Sequence, residues 1–107
     1  MSASSVNFAS TETTRAAAHL GMLIRNARMA RNMTQAELAV RSKSSPATVL
    51  RVEKGSVEAG LGAVLLMMEQ LGLLKHIIAI TDPATQALLE HKSRKRARRP
   101  KVPDLDF

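Results

Sequence analysis

Two helix starts stand eleven residues apart in MTQAELAVRSKSSPATVLRVEKG, residues 33–55, and they leave this stretch few ways to fold. At the first, Thr34 is placed to accept from the backbone N–H of Glu37 while the Glu37 carboxylate reaches back to the Thr34 N–H. This reciprocal capping box opens a short helix over about Gln35–Arg41. At the second, Ser45 is a good N-cap, and Pro46 suits the first helical position, where the missing N–H has no intrahelical partner to lose. That helix is expected to stop near Lys54, with Gly55 free to adopt the left-handed conformation just beyond it. Only Ser42, Lys43 and Ser44 lie between. Two short helices joined by so tight a turn cross steeply, which makes a helix-turn-helix.

A chain of 107 residues fits one domain, and 45% apolar content supplies a modest core. Phe8 and Phe107 are the only aromatic residues, so that core must be aliphatic. With no cysteine there is neither a disulfide framework nor a thiolate metal site. The polar start MSASSVNFASTETT lacks the apolar run of a secretory signal. The central uncharged run Ala59–Met68 is about half of what a membrane span needs. A soluble cytoplasmic protein is the expectation. The net charge of +7 divides unevenly, for residues 1–91 hold nine basic and seven acidic residues while 92–107 hold seven and two. Affinity for polyanions is therefore concentrated at the C-terminal end.

A first helix is expected from Thr11–Thr14 to about Asn32, burying Leu20, Ile24 and Ala27, with Met33 just beyond. Within the motif, Leu38, Ala39, Val49 and Val52 have core spacing. A further helix over about Leu61–Leu71 ends at Gly72, with Leu61, Val64, Leu65, Met68 and Leu71 inward. Leu66 and Met67 make it apolar most of the way round, so a second subunit is expected against it, or else a cover by the C-terminal segment.

The motif resembles the Xre/Cro family of helix-turn-helix repressors through Thr34-Gln35, Glu37-Leu38-Ala39, Ser45, Thr48-Val49 and Arg51-Val52-Glu53 with Gly55. The resemblance runs without a gap from about Leu20 to Gly72, half the chain. Two departures stand out. Lys43 occupies the usual turn glycine, implying a strained turn, and Pro46-Ala47 replaces a longer polar base-reader. The family register pairs Arg28 with Glu53, a structural ion pair unless both charges are solvated. It also turns Pro46, Ala47, Leu50 and Arg51 outward on the helix that would enter a major groove. Arg51 is then the candidate reader of guanine, since its planar fork matches O6 and N7, the alternative being a solvated surface charge. Ala47 suits a thymine methyl. Gln35, Ser45 and Thr48 suit phosphates, although Ser45 and Thr48 would serve equally as simple caps. Lys43 and Lys54 flank the motif at backbone distance.

The Ile-rich run Leu74–Thr81 reads as a strand, whose unpaired edges would be satisfied by the same segment of a second chain. Helix or loop is the competing reading. A helical domain closed by a short dimerising strand resembles the HipB-like antitoxins, a likeness that implies palindromic operators and a HipA-type serine/threonine kinase toxin as partner. Asp82-Pro83 starts a short helix over Ala84–His91 with Leu88 and Leu89 apolar. SRKRARRPKVPDLDF is expected to be disordered alone, its seven cations from Lys92 to Lys101 suited to phosphates. Its tip, Asp104–Phe107, suits a partner protein or solvent equally.

The expected architecture is thus all-α, a lambda-repressor-like domain of four to five helices with a C-terminal β-strand pairing across a homodimer and a disordered basic tail. Residues 1–10 form a disordered start, 11–73 the DNA-binding domain, 74–91 the dimerisation strand and short helix, and 92–107 the tail. The dimer interface falls on Leu66, Met67, Ile77, Ile78 and Ile80. His19, His76 and His91 lack ligand spacing, and neither a phosphate loop nor a catalytic constellation occurs, so no metal, cofactor or enzymatic activity is expected. The function implied is a repressor that autoregulates a toxin–antitoxin operon. The alternatives are an adaptor that chiefly inhibits or positions a toxin, and a stand-alone or phage-type repressor.

Overall fold

The computed structural model describes residues 9–98 as six helices: α1 (Thr11–Ala30), α2 (Gln35–Arg41), α3 (Pro46–Glu53), α4 (Leu61–Gln70), α5 (Leu74–Ile78) and α6 (Pro83–Arg98). The expectation of disorder over residues 1–8 and 99–107 falls outside the described residues.

Side-chain caps open each of the first three helices. Thr13 N–H donates to Ser10 Oγ at 3.0 Å before α1. The Thr34–Glu37 box is complete before α2, with Glu37 N–H to Thr34 Oγ1 at 3.0 Å and Thr34 N–H to Glu37 Oε1 at 3.1 Å. Thr48 N–H donates to Ser45 Oγ at 3.1 Å before α3.

The helix ends share one device. After each of α1 to α4 the chain turns through a left-handed residue, at Asn32, Lys43, Gly55 and Gly72. In each case the next N–H reaches back five residues. Met33 donates to the Arg28 carbonyl, Ser44 to Ala39, Ser56 to Arg51 and Leu73 to Met68, at 2.8–3.1 Å. These are Schellman turns, which use up carbonyls left over at the helix end. Glycine adopts the left-handed region at no steric cost, and asparagine tolerates it, but a lysine is strained there.

The core comprises Ile24, Met33, Leu38, Ala39, Val49, Val52, Val64, Met67, Met68 and Leu71, all aliphatic or Met. α3 packs against both α1 and α2, and α4 packs against α2 and α5. The approach of α1 to the end of α3 is so close that a Cβ on Gly21 would run into the Val52 carbonyl oxygen and lie 2.9 Å from that of Glu53. From the other side, a Cβ on Gly55 would lie 2.7 Å from Ala18 Cα.

The C-terminal third corrects the sequence reading. Leu74–Ile78 is helical, and the described residues contain no strand. The Gly72 turn folds the chain back so that Leu73, Leu74 and Ile77, which share one face at helical spacing, pack on the core. Burial at that spacing outweighs the β preference of the isoleucines, a preference that chiefly reports fit to a pleated surface. The two-chain ribbon thereby loses its strand. Met67, expected at a dimer interface, is fully buried in the chain's own core, because α2 and α5 cover α4 in place of a second subunit. Leu61, expected inward, is exposed. α6 continues to Arg98, seven residues past its expected end at His91, so the first part of the basic tail is helical. Every residue of α6 is exposed.

Candidate nucleic-acid interface

α3 has two faces of opposite character. Val49 and Val52 are buried, while Pro46, Ala47, Leu50, Arg51 and the following Lys54 are exposed. Lys43 and Ser45 are exposed just ahead of α3, and Thr48 is half-buried at its first turn. These side chains therefore gather on the exposed face of one helix and on its lead-in turn. Among the described residues the one ion pair is Arg28–Glu53, which leaves the charges of Lys43, Arg51 and Lys54 uncompensated by a salt bridge.

The N-terminal turn of α3 is equipped for oxyanions. Ser45 Oγ and Thr48 Oγ1 lie 2.9 Å apart, so one hydroxyl donates to the other and one O–H remains available. Pro46 has no N–H, and Thr48 N–H is taken by Ser45, so Ala47 N–H is the open backbone donor of the first turn.

Gln35, expected to face a phosphate, is tied to the end of α3 through one amide hydrogen. Its Nε2 donates to Glu53 Oε1 at 3.0 Å, half-buried beneath α3. Glu53 also accepts from Arg28 Nε at 2.6 Å and Nη2 at 3.0 Å, while Arg28 Nη1 donates to the Met33 carbonyl at 2.8 Å. The Arg28 and Glu53 side chains are 11% and 3% exposed, so this network is largely dehydrated. The Glu53 hydrogen bond raises the Arg28 pKa above its ordinary value, against the opposing pull of burial. α1, the start of α2 and the end of α3 are thus fixed to one another, and the exposed face of α3 is held on a rigid support.

The turn ahead of α3 is stiffened by Ser42, a residue to which the sequence reading gives no role. Ser42 is fully buried, and its hydroxyl donates to the Leu38 carbonyl at 2.7 Å, with Ser44 Oγ 3.0 Å away. The signal that could have found it is its place in the last turn of α2, where a serine readily bonds the carbonyl four residues back.

The helix-turn-helix family model matches residues 24–75, from the middle of α1 into α5. This stretch is similar to the helix-turn-helix domains of the Xre/lambda-repressor type. Such domains characterise DNA-binding transcription regulators, and the helix-turn-helix domain here offers the exposed, cation-bearing helix that this activity requires. Searches of the curated proteins and of the solved structures found no significant match. Among the described residues no helix is long and apolar enough to cross a membrane, and no group of three His, Cys, Asp or Glu could hold a metal ion.

Proposed function

We propose that this chain is a transcriptional repressor that binds a palindromic operator as a homodimer, each copy placing α3 in a major groove. The carrying observation is the exposed face of α3, with Arg51 outward in its last turn and the helix braced from behind by the Arg28–Glu53–Gln35 network. Arg51 reads guanine, Ala47 lies against a thymine methyl, and Ser45, Thr48, Lys43 and Lys54 hold phosphates. Gln35 is better accounted for as a brace of Glu53 than as a phosphate donor. Two recognition helices related by a twofold axis bind half-sites about 34 Å apart, one turn of duplex, and repression follows from occlusion of the promoter.

Dimerisation is supported by exposed apolar side chains near the C-terminal end of the helix-turn-helix domain: Leu66 at 39%, Ile78 at 79% and Ile80 at 70% exposure. Ile77 packs inward and does not belong to that surface.

A kinase toxin of the HipA type is a second reading. Its principal support is the dimerising strand, which the helical α5 removes. What still favours a protein partner is the exposed apolar set that continues into α6 at Leu88 and Leu89. A kinase-like reading frame beside the gene, and its co-purification with this chain, would select this reading over a stand-alone repressor.

The direct test of the readout is Arg51→Ala. Discrimination at one base pair of each half-site should fall by about 1–3 kcal/mol, with preferences at the other positions intact. Unchanged selectivity removes Arg51 from the readout.

A further inference from the structure

α6 is a helix that the core does not explain. None of its sixteen residues is buried, and its C-terminal half, HKSRKRAR over residues 91–98, holds five Lys or Arg and no carboxylate. His91, Arg94, Lys95 and Arg98 line one face of it, at the i, i+3, i+4 and i+7 spacing of a single helical stripe. No carboxylate among the described residues forms a salt bridge with them.

Cations in the last turn of a helix complement its negative end, and that accounts for Lys95, Arg96 and Arg98. It does not account for Lys92 and Arg94 further in. There the like charges oppose the helix, since Lys92–Arg96 and Arg94–Arg98 are four residues apart. A helix that carries this repulsion without a buried face calls for a polyanion to relieve it. An anionic membrane surface would require a broad apolar face opposite the charges, and residues 91–98 offer only Ala97.

We infer that the His91–Arg94–Lys95–Arg98 face of α6 is a second DNA-binding site, gripping the phosphate backbone of the duplex that the helix-turn-helix domain engages, and so resting on the DNA-binding reading above. From residue 91 to 98 the helix advances about 10 Å, a length over which one strand of duplex presents about three phosphates. Arg94, Lys95 and Arg98 supply three permanent charges along that length, and His91 adds a ring donor. The contact carries no sequence information. It adds affinity and salt dependence to a domain that reads bases elsewhere, and it extends the footprint beyond the half-site. Because phosphates neutralise the like-charge stripe, DNA relieves the repulsion along a helix already formed in the free chain.

The test is a salt titration of affinity for a random-sequence 24-base-pair duplex, made on the full chain, on R94Q/K95Q/R98Q and on R51Q/K54Q. All five substitutions change exposed side chains. Each phosphate neutralised contributes about 0.9 to the slope of log K against log salt. The α6 variant is therefore expected to show a slope shallower by roughly 2–3. A parent slope retained by R94Q/K95Q/R98Q, with slope lost in R51Q/K54Q, overturns the α6 site and leaves the domain's reading standing. Binding abolished in R94Q/K95Q/R98Q but unaffected in R51Q/K54Q upholds the α6 site and overturns the phosphate contact given to Lys54. A parent with no affinity for the duplex at low salt overturns both.

Discussion

Arg28 and Glu53 stand twenty-five residues apart in sequence and share two hydrogen bonds, with the Met33 carbonyl taking a third direction of the fork and Gln35 a third on the carboxylate. A largely buried pair is worth little net against an apolar substitute, but removing one partner strands the other charge out of water. Arg28→Ala is therefore expected to cost about 3 kcal/mol in urea unfolding, and a double Arg28→Met/Glu53→Met replacement considerably less. Equal losses in the two would place the stabilisation in packing. Gly21 is constrained differently. Its hydrogen faces the Val52 and Glu53 carbonyl oxygens, so Gly21→Ala must push α1 off the end of α3. The expected loss is about 2–3 kcal/mol by overpacking, although alanine is the better helix former, and a stabilised variant would contradict the close approach.

The elements α1 to α4 owe their limits to caps at one end and left-handed turns at the other, and the two kinds of signal are unequally legible. Ser45-Pro46, the Thr34–Glu37 box, Gly55 and Gly72 announce themselves because each residue type has one favoured use at a helix end. Asn32 and Lys43 make the same turn without glycine, at φ 53° and 57°, and only the family likeness points to Lys43. Lys43→Gly should relieve that strain and raise stability by about 1 kcal/mol, while weakening DNA binding if Lys43 holds a phosphate. A thermal melt and a binding isotherm on the same variant separate the two effects. The α2 box also sets a pH dependence. Hydrogen bonds from the Thr34 N–H, and next from its hydroxyl, hold the Glu37 carboxylate below its ordinary pKa. A depressed carboxylate stabilises the fold above its unfolded pKa, and that contribution disappears as the pH falls through the folded value. Glu37→Gln should flatten the acid side of the stability–pH profile. An unchanged profile would mean that the box does not hold the charge.

At the scale of the whole molecule, five helices enclose an aliphatic core and the sixth stands clear of it. The helix-turn-helix and its outward face are legible in residues 33–55 because local rules there agree with one another. Between Gly72 and Asp82 no local rule decides. LKHIIAIT satisfies a strand pattern and a helical one alike, and only the core waiting for Leu74 and Ile77 selects between them. Likewise α4 looks too apolar for one chain as long as its covering helix is read as a strand. The basic run after His91 has the composition of a disordered tail, and its helicity to Arg98 comes from continuing a helix already capped at Asp82, whose carboxylate accepts from Thr85.

The central claim is that a twofold pair of α3 helices reads duplex DNA, and selection from a randomised duplex library tests it most directly. The full chain should enrich a palindrome whose half-site centres lie about 10–10.5 base pairs, or a whole multiple of that, apart. Arg51→Ala should blur the same base position in both halves. Enrichment of no sequence at any ionic strength, or of a single unpaired half-site, would contradict it.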